Sequence, residues 1–352
     1  MTTQPTITIA GRSIGPAHPP FVISELSANH NGSLDAALRL IEKAAKTGAD
    51  AVKIQTYTAD TITLNSERPE FQITSGKWAG QSLYDLYKSA NTPWEWHGQM
   101  FDYAKKCGIT MFSSPFDPTA VDLLEDLNAP AYKIASFEAV DLPLIRYVAS
   151  TGKPVIISTG MADADEIAEA IDAARTGGCK ELAILQCVSG YPAPAGEYNL
   201  ATIPDMINRF GLVTGLSDHT LDNTTAIAAV ALGASIIEKH MTEDRSGGGP
   251  DDSFSLEPAE FAQLCNGART AWDAVGKVNY GRKSSEVSNV TFRRSLYFVK
   301  DLTAGDIVKA DDFRSVRPGF GAAPKFADQV IGMRVSVDVE AGTPVLMDQL
   351  LA

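Results

Sequence analysis

Cysteine and histidine are scarce in this chain, which has 352 residues but only 4 cysteines and 5 histidines. The cysteines show no paired spacing, so the sequence gives no sign of a disulfide framework and favours buried thiols in a reducing compartment. The N-terminus lacks an apolar segment behind a basic start, and no apolar run approaches the length that spans a membrane. These absences predict a cytoplasmic protein without a membrane partner.

Basic residues are in deficit as well, because 30 Lys and Arg stand against 43 Asp and Glu, giving a formal net charge of -13. This balance argues against nucleic acid or an anionic membrane as the main partner. It does not exclude an anionic small molecule, since a pocket lined with a few lysines can oppose the overall field.

Short β-rich runs alternate with longer amphipathic stretches from residue 20 onward. One such stretch, residues 33–48, has Ser33 at the N-cap position and Gly48 as a C-terminal stop, which predicts a helix. Eight strand-helix units in about 250 residues predict an α/β fold, a closed (β/α)8 TIM barrel. An open doubly wound sheet is the alternative, but no Gly-rich dinucleotide fingerprint follows the first strand. The predicted strands are 21–26, 51–57, 109–116, 131–137, 154–160, 181–187, 212–218 and 235–241.

The pattern changes near Lys283, where KSSEVSN reads as a polar linker. Beyond it, residues 299–313 and 337–350 share an Asp, an Ala-Gly turn and an apolar return, which indicates a small β-rich domain with an internal repeat. The predicted organisation is a barrel domain over 1–282 with an N-terminal β-hairpin, a linker over 283–292 and a β-rich domain over 293–352.

Polar residues occur at the C-terminal end of every predicted strand, where the active site of a TIM barrel lies. Buried lysines and carboxylates are costly without partners, so eight converging polar ends favour an active site over packing alone. Lysines and hydroxyls among them suit a phosphate and a carboxylate. His219 and His240 end neighbouring strands and suit one divalent metal, although either alone would fit a hydrogen-bonded core residue. The strand-end set is Glu25, Lys53, Gln55, Ser113, Ser114, Lys133, Ser136, Glu138, Ser158, Thr159, Ser189, Tyr191, Ser217, Asp218, His219, Glu238 and His240.

A series of motifs in this order resembles the sialic acid synthase family over nearly the whole chain. The motifs are ELSANHNGS, GADAVKIQTY, FSSPFD, YKIASFEA, STGM, GLSDHT, ALGASIIEKH and SVRPGFG. SLYDLYKSA, ELSANH and KIASFEA are more similar to the family's pseudaminic acid synthases than to its N-acetylneuraminate synthases. The tail resembles the antifreeze-like (SAF, β-clip) domain that follows the barrel in that family.

The resemblance implies a metal-dependent condensation of phosphoenolpyruvate with an open-chain amino-sugar aldehyde, with C–O cleavage and release of phosphate. The implied metal is Mn²⁺, with Mg²⁺ or Co²⁺ as alternatives, and the implied assembly is a domain-swapped homodimer. The family's roles carry over to these positions: Glu25 and Glu138 as catalytic carboxylates; Lys53, Lys133, Ser136, Ser158, Ser189 and Ser217 for phosphoenolpyruvate; Gln55, Tyr191, Asp251 and Arg317 for the sugar; His219 and His240 for the metal.

Two positions depart from the N-acetylneuraminate synthases, which have asparagine where this chain has Trp78 and Ser189. Because both touch the sugar pocket, the expected sugar is 2,4-diacetamido-2,4,6-trideoxy-L-altrose rather than N-acetylmannosamine. The alternatives are an N-acetylneuraminate or legionaminic acid synthase, a Schiff-base aldolase using Lys53 or Lys133, and a non-enzymatic sugar-binding or ice-binding protein.

Overall fold

Two units with separate hydrophobic cores make up the chain. In the computed structural model, which describes residues 4–76 and 78–352, the first unit ends at Gly276 and the second begins at Lys277. Residues 284–292, which fall in the predicted linker, form two short 3₁₀ turns of the second unit. The domain boundaries drawn from the sequence stay predictions.

The first unit is a closed barrel of eight parallel strands in sequential order, preceded by an antiparallel hairpin of β1 (Ile7–Ile9) and β2 (Arg12–Ile14). Each of the eight predicted strands is present, so the TIM-barrel prediction is confirmed. Each strand is one to four residues shorter than its predicted run, at its start, at its end or at both. The strands are β3 (Phe21–Glu25), β4 (Ala51–Thr56), β5 (Thr110–Pro115), β6 (Tyr132–Ile134), β7 (Val155–Ser158), β8 (Leu182–Cys187), β9 (Val213–Asp218) and β10 (Ile236–His240).

Helices surround the barrel and bury apolar residues against it, except the helix Leu83–Ala90, which has no buried residue. The predicted caps of the first helix are both present: Ser33 Oγ accepts a hydrogen bond from Ala36 N, and Gly48 adopts the left-handed conformation at φ 84°. The helices of this unit are α1 (Leu34–Thr47), α2 (Ala59–Ile62), α3 (Leu83–Ala90), α4 (Trp94–Cys107), α5 (Pro118–Asp126), α6 (Leu142–Ser150), α7 (Ala164–Gly177), α8 (Thr202–Phe210), α9 (Thr224–Ala231) and α10 (Pro258–Val275).

The N-terminal hairpin closes the end of the barrel opposite the mouth. Ile7, Ile9 and Ile14 are buried in one cluster with the inward-facing residues at the lower ends of the strands, among them Phe21 and Phe112. Thr8 N also donates a hydrogen bond to Glu181 Oε1 at the start of β8. The lower half of the barrel is therefore a packed apolar floor.

The loop after β10 is fastened to the turn after β3, which is the ELSANHNGS segment. Asp252, 1% exposed, accepts hydrogen bonds from Gly249 N at 2.8 Å and from Asn31 Nδ2 at 3.0 Å. Asn29 Nδ2 donates to Met241 O and Ser255 Oγ. A Cβ on Gly249 would lie 1.9 Å from Asn31 Oδ1, so only glycine fits there. The asparagines of the motif thus hold the mouth loop in place.

The second unit is β-rich, as predicted. Its strands β11 (Ser295–Phe298) and β12 (Phe313–Val316) pair antiparallel, as do β13 (Arg334–Val335) and β14 (Leu350–Leu351), and a single helical turn α11 (Ala327–Val330) lies between them in sequence. The two repeat segments pair with each other through reciprocal backbone hydrogen bonds of Leu302 and Val339. Its core is built from Leu296, Phe298, Val308, Val330, Val335, Val339, Val345 and Leu350.

Membrane-spanning helices were sought among residues 4–76 and 78–352, and every helix there is too short or too polar to cross a bilayer.

Candidate active site

Strand register brings the predicted polar residues together at the barrel mouth. Glu25 at the end of β3 is opposite His240 of β10 on one side and Lys53 of β4 on the other. Ser217 of β9 is opposite Glu238 of β10. Because alternate residues of a strand face the barrel interior, these side chains point into one space.

Two lysines and two carboxylates form an ion cluster inside the barrel. Lys53 Nζ lies 2.6 Å from Glu25 Oε2 and 3.7 Å from Glu238 Oε1, and Lys133 Nζ lies 3.6 Å from the same Glu238 oxygen. Lys53 also donates to Ser114 Oγ at 3.2 Å. All four charged residues are at most 5% exposed. Charges so deep are retained only where they have partners or a use.

The two carboxylates of this cluster differ in protonation. Burial raises the pKa of Glu25, and the neighbouring Glu238 carboxylate adds to that rise. Burial alone would raise the pKa of Glu238 too, but Lys133 and Lys53 together hold it below its ordinary value. Glu238 therefore keeps the negative charge, and Glu25 is the carboxyl that takes up a proton. Carboxyls with pKa values pushed apart in this way are suited to separate acid and base roles.

Hydroxyl groups line the space around Lys133. Lys133 Nζ donates to Ser158 Oγ at 2.6 Å, and Ser136 Oγ lies 2.8 Å from Ser189 Oγ. A Cβ on Gly160 would lie 2.3 Å from Ser189 Oγ, so the glycine leaves room that any side chain would fill. Two buried ammonium groups with nearby hydroxyls are suited to holding an anion. Five of the six residues predicted to bind phosphoenolpyruvate take part in these contacts or in the ion cluster, and the sixth, Ser217, donates to Glu238 Oε1 at 3.3 Å.

The two histidines predicted to bind a metal are neighbours, with ring centroids 5.5 Å apart. His219 Nδ1 lies 2.8 Å from Val188 O, so it donates there and leaves Nε2 as the ligand atom. His240 Nδ1 is buried without a hydrogen-bond partner and lies 3.9 Å from Asp251 Oδ2. Burial lowers the pKa of His219 to about 4 and that of His240 well below its ordinary value, so both rings are neutral.

These two rings fit a divalent cation with most of its positions open to water or substrate. Within the described ranges, 4–76 and 78–352, no three His, Cys, Asp or Glu side chains group as a metal site by themselves. A cation held by only two histidines needs additional ligands from water or substrate, as sites that bind a reacting molecule do. The buried unpaired nitrogen of His240 is the observation that favours this fit.

The predicted sugar contacts of the first unit surround the histidines. The Tyr191 ring lies 4.4 Å from the His219 ring and 5.3 Å from the Phe254 ring, and Trp78 is 6.3 Å from Tyr191 between ring centroids. Gln55 Nε2 donates to Glu25 Oε1 at 3.2 Å. An aromatic wall thus covers one side of the space above the histidines.

Glu138 lies after β6, in the 3₁₀ turn Ser136–Glu138. Its Oε2 is buried without a hydrogen-bond partner, and burial raises the pKa of this carboxyl to about 7. A carboxyl with such a pKa is suited to moving a proton near neutral pH.

Arg317 is an exposed residue of the second unit, directly after β12. Its predicted contact with a sugar in a partner's barrel stays a prediction.

Glu238 is the central residue to which the sequence assigned no role, although it was among the polar strand ends. The signal that could have identified it is its spacing, since it lies two residues before His240 on the same strand and must face the same way. Ser114, which accepts a hydrogen bond from Lys53, was likewise among the polar strand ends without an assigned role.

Comparison with known proteins agrees with this architecture. The NeuB family profile matches residues 40–280, and the SAF domain profile matches residues 293–351.

Relatives of known activity match nearly end to end. Pseudaminic acid synthase of Campylobacter jejuni is 43% identical, with 92% of this chain and 94% of the relative covered. That of Helicobacter pylori is 39% identical, with 94% and 98% covered. The N,N'-diacetyllegionaminic acid synthase of Legionella pneumophila is 35% identical, with 94% and 95% covered. The N-acetylneuraminic acid synthetase structure from Leptospira borgpetersenii superposes with a TM-score of 0.73 at 31% identity, covering 82% of this chain and 95% of the other.

Proposed function

This chain belongs to the NeuB family, and we propose that it is a pseudaminic acid synthase. The reaction joins C3 of phosphoenolpyruvate to the aldehyde carbon of 2,4-diacetamido-2,4,6-trideoxy-L-altrose. Water adds at C2, and phosphate leaves with its bridging oxygen as the C–O bond breaks. The product is a nine-carbon 2-keto acid.

The observation that carries this proposal is the 43% identity to a pseudaminic acid synthase over 92% of the chain. This value exceeds the 35–36% identity to N,N'-diacetyllegionaminic acid synthases, whose activity is the second candidate function. Trp78 beside Tyr191 does not separate the two candidates, because both sugars end in a C6 methyl group that an apolar wall would accept.

Phosphoenolpyruvate is proposed to bind at the buried lysines. Lys53 and Lys133 supply the positive charge, and Ser136, Ser158 and Ser189 supply hydroxyl donors for the phosphate and carboxylate oxygens. Holding an anion of high charge in a dry pocket orients C3 toward the aldehyde and excludes bulk water.

Two carboxyls divide the proton transfers. Glu25, whose pKa is raised, protonates the oxygen of the aldehyde as the new C–C bond forms. Glu138, with no hydrogen-bond partner on Oε2 and a pKa near 7, removes a proton from the water that attacks C2. Glu238 stays ionised and stabilises the positive charge that builds at C2.

His219 and His240 are proposed to hold a divalent cation, Mn²⁺ in the first instance and Mg²⁺ or Co²⁺ as alternatives. The bound cation supplies Lewis-acid polarisation of the sugar aldehyde. Asp251, near His240, and Gln55, on Glu25, then orient the sugar hydroxyls.

The assembly and compartment are part of the proposal. A swapped homodimer would bring Arg317 of one chain to the barrel of the other, and four unpaired thiols suit the reducing cytoplasm where phosphoenolpyruvate is made.

The decisive experiment measures phosphate release from phosphoenolpyruvate with a panel of amino sugars. We expect turnover with the 2,4-diacetamido-2,4,6-trideoxy sugar of altro configuration, and none with N-acetylmannosamine. Preference for the sugar precursor of legionaminic acid would favour the second candidate, whereas no phosphate release with any sugar would reject a synthase.

Metal dependence separates the synthase from a Schiff-base aldolase. Chelation, and His219→Ala or His240→Ala, should abolish turnover, and borohydride should trap no adduct at Lys53 or Lys133. Full activity after chelation, or a trapped adduct, would reject the metal mechanism.

A further inference from the structure

A second buried ion pair lies directly behind the two histidines. Lys239 Nζ donates to Asp218 Oδ2 at 2.7 Å, to Thr220 O at 2.7 Å and to Thr220 Oγ1 at 3.3 Å. The Lys239 and Asp218 side chains are each at most 1% exposed. Asp218 Oδ1 also accepts a hydrogen bond from Thr220 N at 2.9 Å.

These contacts involve the residues on both sides of His219 and the residue before His240. Asp218 and Lys239 are directly opposite each other in the register of β9 and β10. Side chains alternate along a strand, so this pair faces away from the barrel interior while the residues that follow each of them face into it. One ammonium group therefore fixes how the two histidine-bearing strand ends lie relative to each other.

Two further contacts hold His219 from its own side. Tyr198 Oη, fully buried, accepts from His219 N at 2.6 Å, and His219 Nδ1 donates to Val188 O at 2.8 Å. The link from His219 to His240 runs through Lys239 and the pairing of β9 with β10, in addition to the ring contacts that Tyr191 makes with both histidines. A shift of the two strand ends would change the 5.5 Å separation of the rings.

We propose that Lys239 and Asp218 are a positioning pair that sets the geometry of His219 and His240 for a divalent cation. This inference rests on the proposed metal-dependent function. Stability by itself does not explain the pair, because a buried ion pair is often no more stabilising than well-packed apolar side chains of the same size. The pair instead fixes orientation, because the one ammonium group of Lys239 donates to three acceptors at defined positions.

The test compares Mn²⁺ affinity with folding stability in the full chain. Protein stripped with a chelator is titrated with Mn²⁺, and free Mn²⁺ is followed by electron paramagnetic resonance well below the melting temperature. Lys239→Met should weaken Mn²⁺ binding about 10–100-fold, as is usual for groups that orient metal ligands. Affinity for phosphoenolpyruvate without metal should stay unchanged, because Lys53 and Lys133 lie on the other face.

Two further variants separate positioning from stability. Lys239→Met with Asp218→Leu removes both charges and should regain stability while Mn²⁺ affinity stays low. Asp50→Asn is the matched control: Asp50 pairs with Arg12 and accepts from Val22 N at the far end of the barrel. This variant should lose stability and keep its Mn²⁺ affinity.

The results that overturn the inference are distinct from those that overturn the function. Unchanged Mn²⁺ affinity in Lys239→Met, or recovery of both affinity and stability in the double variant, would show that the pair is only structural. Failure of the wild-type protein to bind Mn²⁺, Mg²⁺ or Co²⁺ would reject the metal function and this inference with it. If Lys239→Met does not fold, Asp218→Asn, which keeps the shape, must show a smaller loss of Mn²⁺ affinity.

Discussion

Lys239 lies on the outer face of the barrel sheet, whereas Lys53 and Lys133 lie on its inner face. All three residues are at most 3% exposed. Lys239 uses each of its three protons on an acceptor, and its partner Asp218 accepts from two donors. Inside the barrel, Lys53 and Lys133 share Glu238, whose Oε2 has no hydrogen-bond partner.

This difference in hydrogen bonding distinguishes a structural ion pair from a cluster that is suited to binding a ligand. A saturated ion pair leaves nothing to bind, whereas an unsatisfied buried acceptor such as Glu238 Oε2 is costly unless a substrate completes it. Burial lowers the pKa of Lys239, and burial with the nearby Lys53 charge lowers that of Lys133 despite the attraction of Glu238. Burial alone thus does not tell the two clusters apart, but hydrogen-bond saturation does.

Among variants outside the two histidines, the largest expected effect comes from Glu138, whose Oε2 has no hydrogen-bond partner. Glu138→Gln should lower kcat by about 10²–10⁴-fold, the usual contribution of a general base. Because the pKa of the wild-type carboxyl is about 7, wild-type kcat should fall as the pH drops below 7, and the variant should lose this limb. A pH–rate profile of both proteins measures this.

The same raised pKa has a consequence for stability with a defined sign. Between its ordinary value of 4.5 and about 7, the folded protein binds more protons at Glu138 than the unfolded chain does. Its contribution to stability is therefore full below 4.5 and is lost as the pH rises through 7. Glu138→Gln should flatten this decline in urea titrations at pH 5 and 8; an identical decline in both proteins would contradict the assignment.

Removing the saturated lysine should cost stability. Lys239→Met leaves Asp218 buried and unpaired, which destabilises by about 3–5 kcal/mol. Urea unfolding measures the change, and Lys153→Met, a surface pair with Glu125, is the control that should cost under about 1 kcal/mol. Equal losses of unfolding free energy in Lys239→Met and Lys153→Met would contradict a structural role for the Lys239–Asp218 pair.

Removing a lysine of the inner cluster should instead cost activity. Lys53→Met should lower kcat/KM by about 10²–10³-fold, comparable to the loss of one preorganised donor. Its unfolding free energy should change by less than that of Lys239→Met, because Glu25 can take up a proton when its cation is gone. Steady-state kinetics and urea unfolding of the same preparation test both halves, and a stability loss as large as that of Lys239→Met would refute the distinction.

The smallest effect is expected at Arg317, an exposed residue outside the barrel unit. Arg317→Ala should raise KM for the sugar about tenfold, or 1.4 kcal/mol, without a matching change for phosphoenolpyruvate. Arg314→Ala, also exposed and three residues earlier, is the control that should leave both constants unchanged.

Subunit mixing shows in which chain Arg317 acts. Mixed with the inactive His219→Ala protein under conditions that allow exchange, Arg317→Ala should show a sugar KM closer to the wild-type value. Exchanged dimers without such recovery would place the arginine at its own barrel and contradict the swapped arrangement.

The barrel could be predicted from sequence because its signals are local: eight β-rich runs, helix caps such as Ser33 and Gly48, and polar strand ends. Glu238 received no role because its importance depends on two lysines from β4 and β6 that meet only in the closed barrel. The saturation of Lys239 was equally out of reach, since its acceptors are on a neighbouring strand. The roles of Asn29 and Asn31 were also out of reach, because their partners Met241 and Asp252 are more than 200 residues away in sequence.

The apolar floor made by the N-terminal hairpin closes one end of the barrel, so the space around the lysines opens only at the mouth. Ile7, Ile9 and Ile14 fill the space beneath the lysines, so molecules reach the ammonium groups from the mouth, past Tyr191 and the histidines. If phosphoenolpyruvate binds at the lysines as proposed, it must enter before the sugar, and phosphate must leave after the larger product. Product-inhibition kinetics would reveal this as phosphoenolpyruvate binding before the sugar, and random-order binding would show that the chamber has another way in.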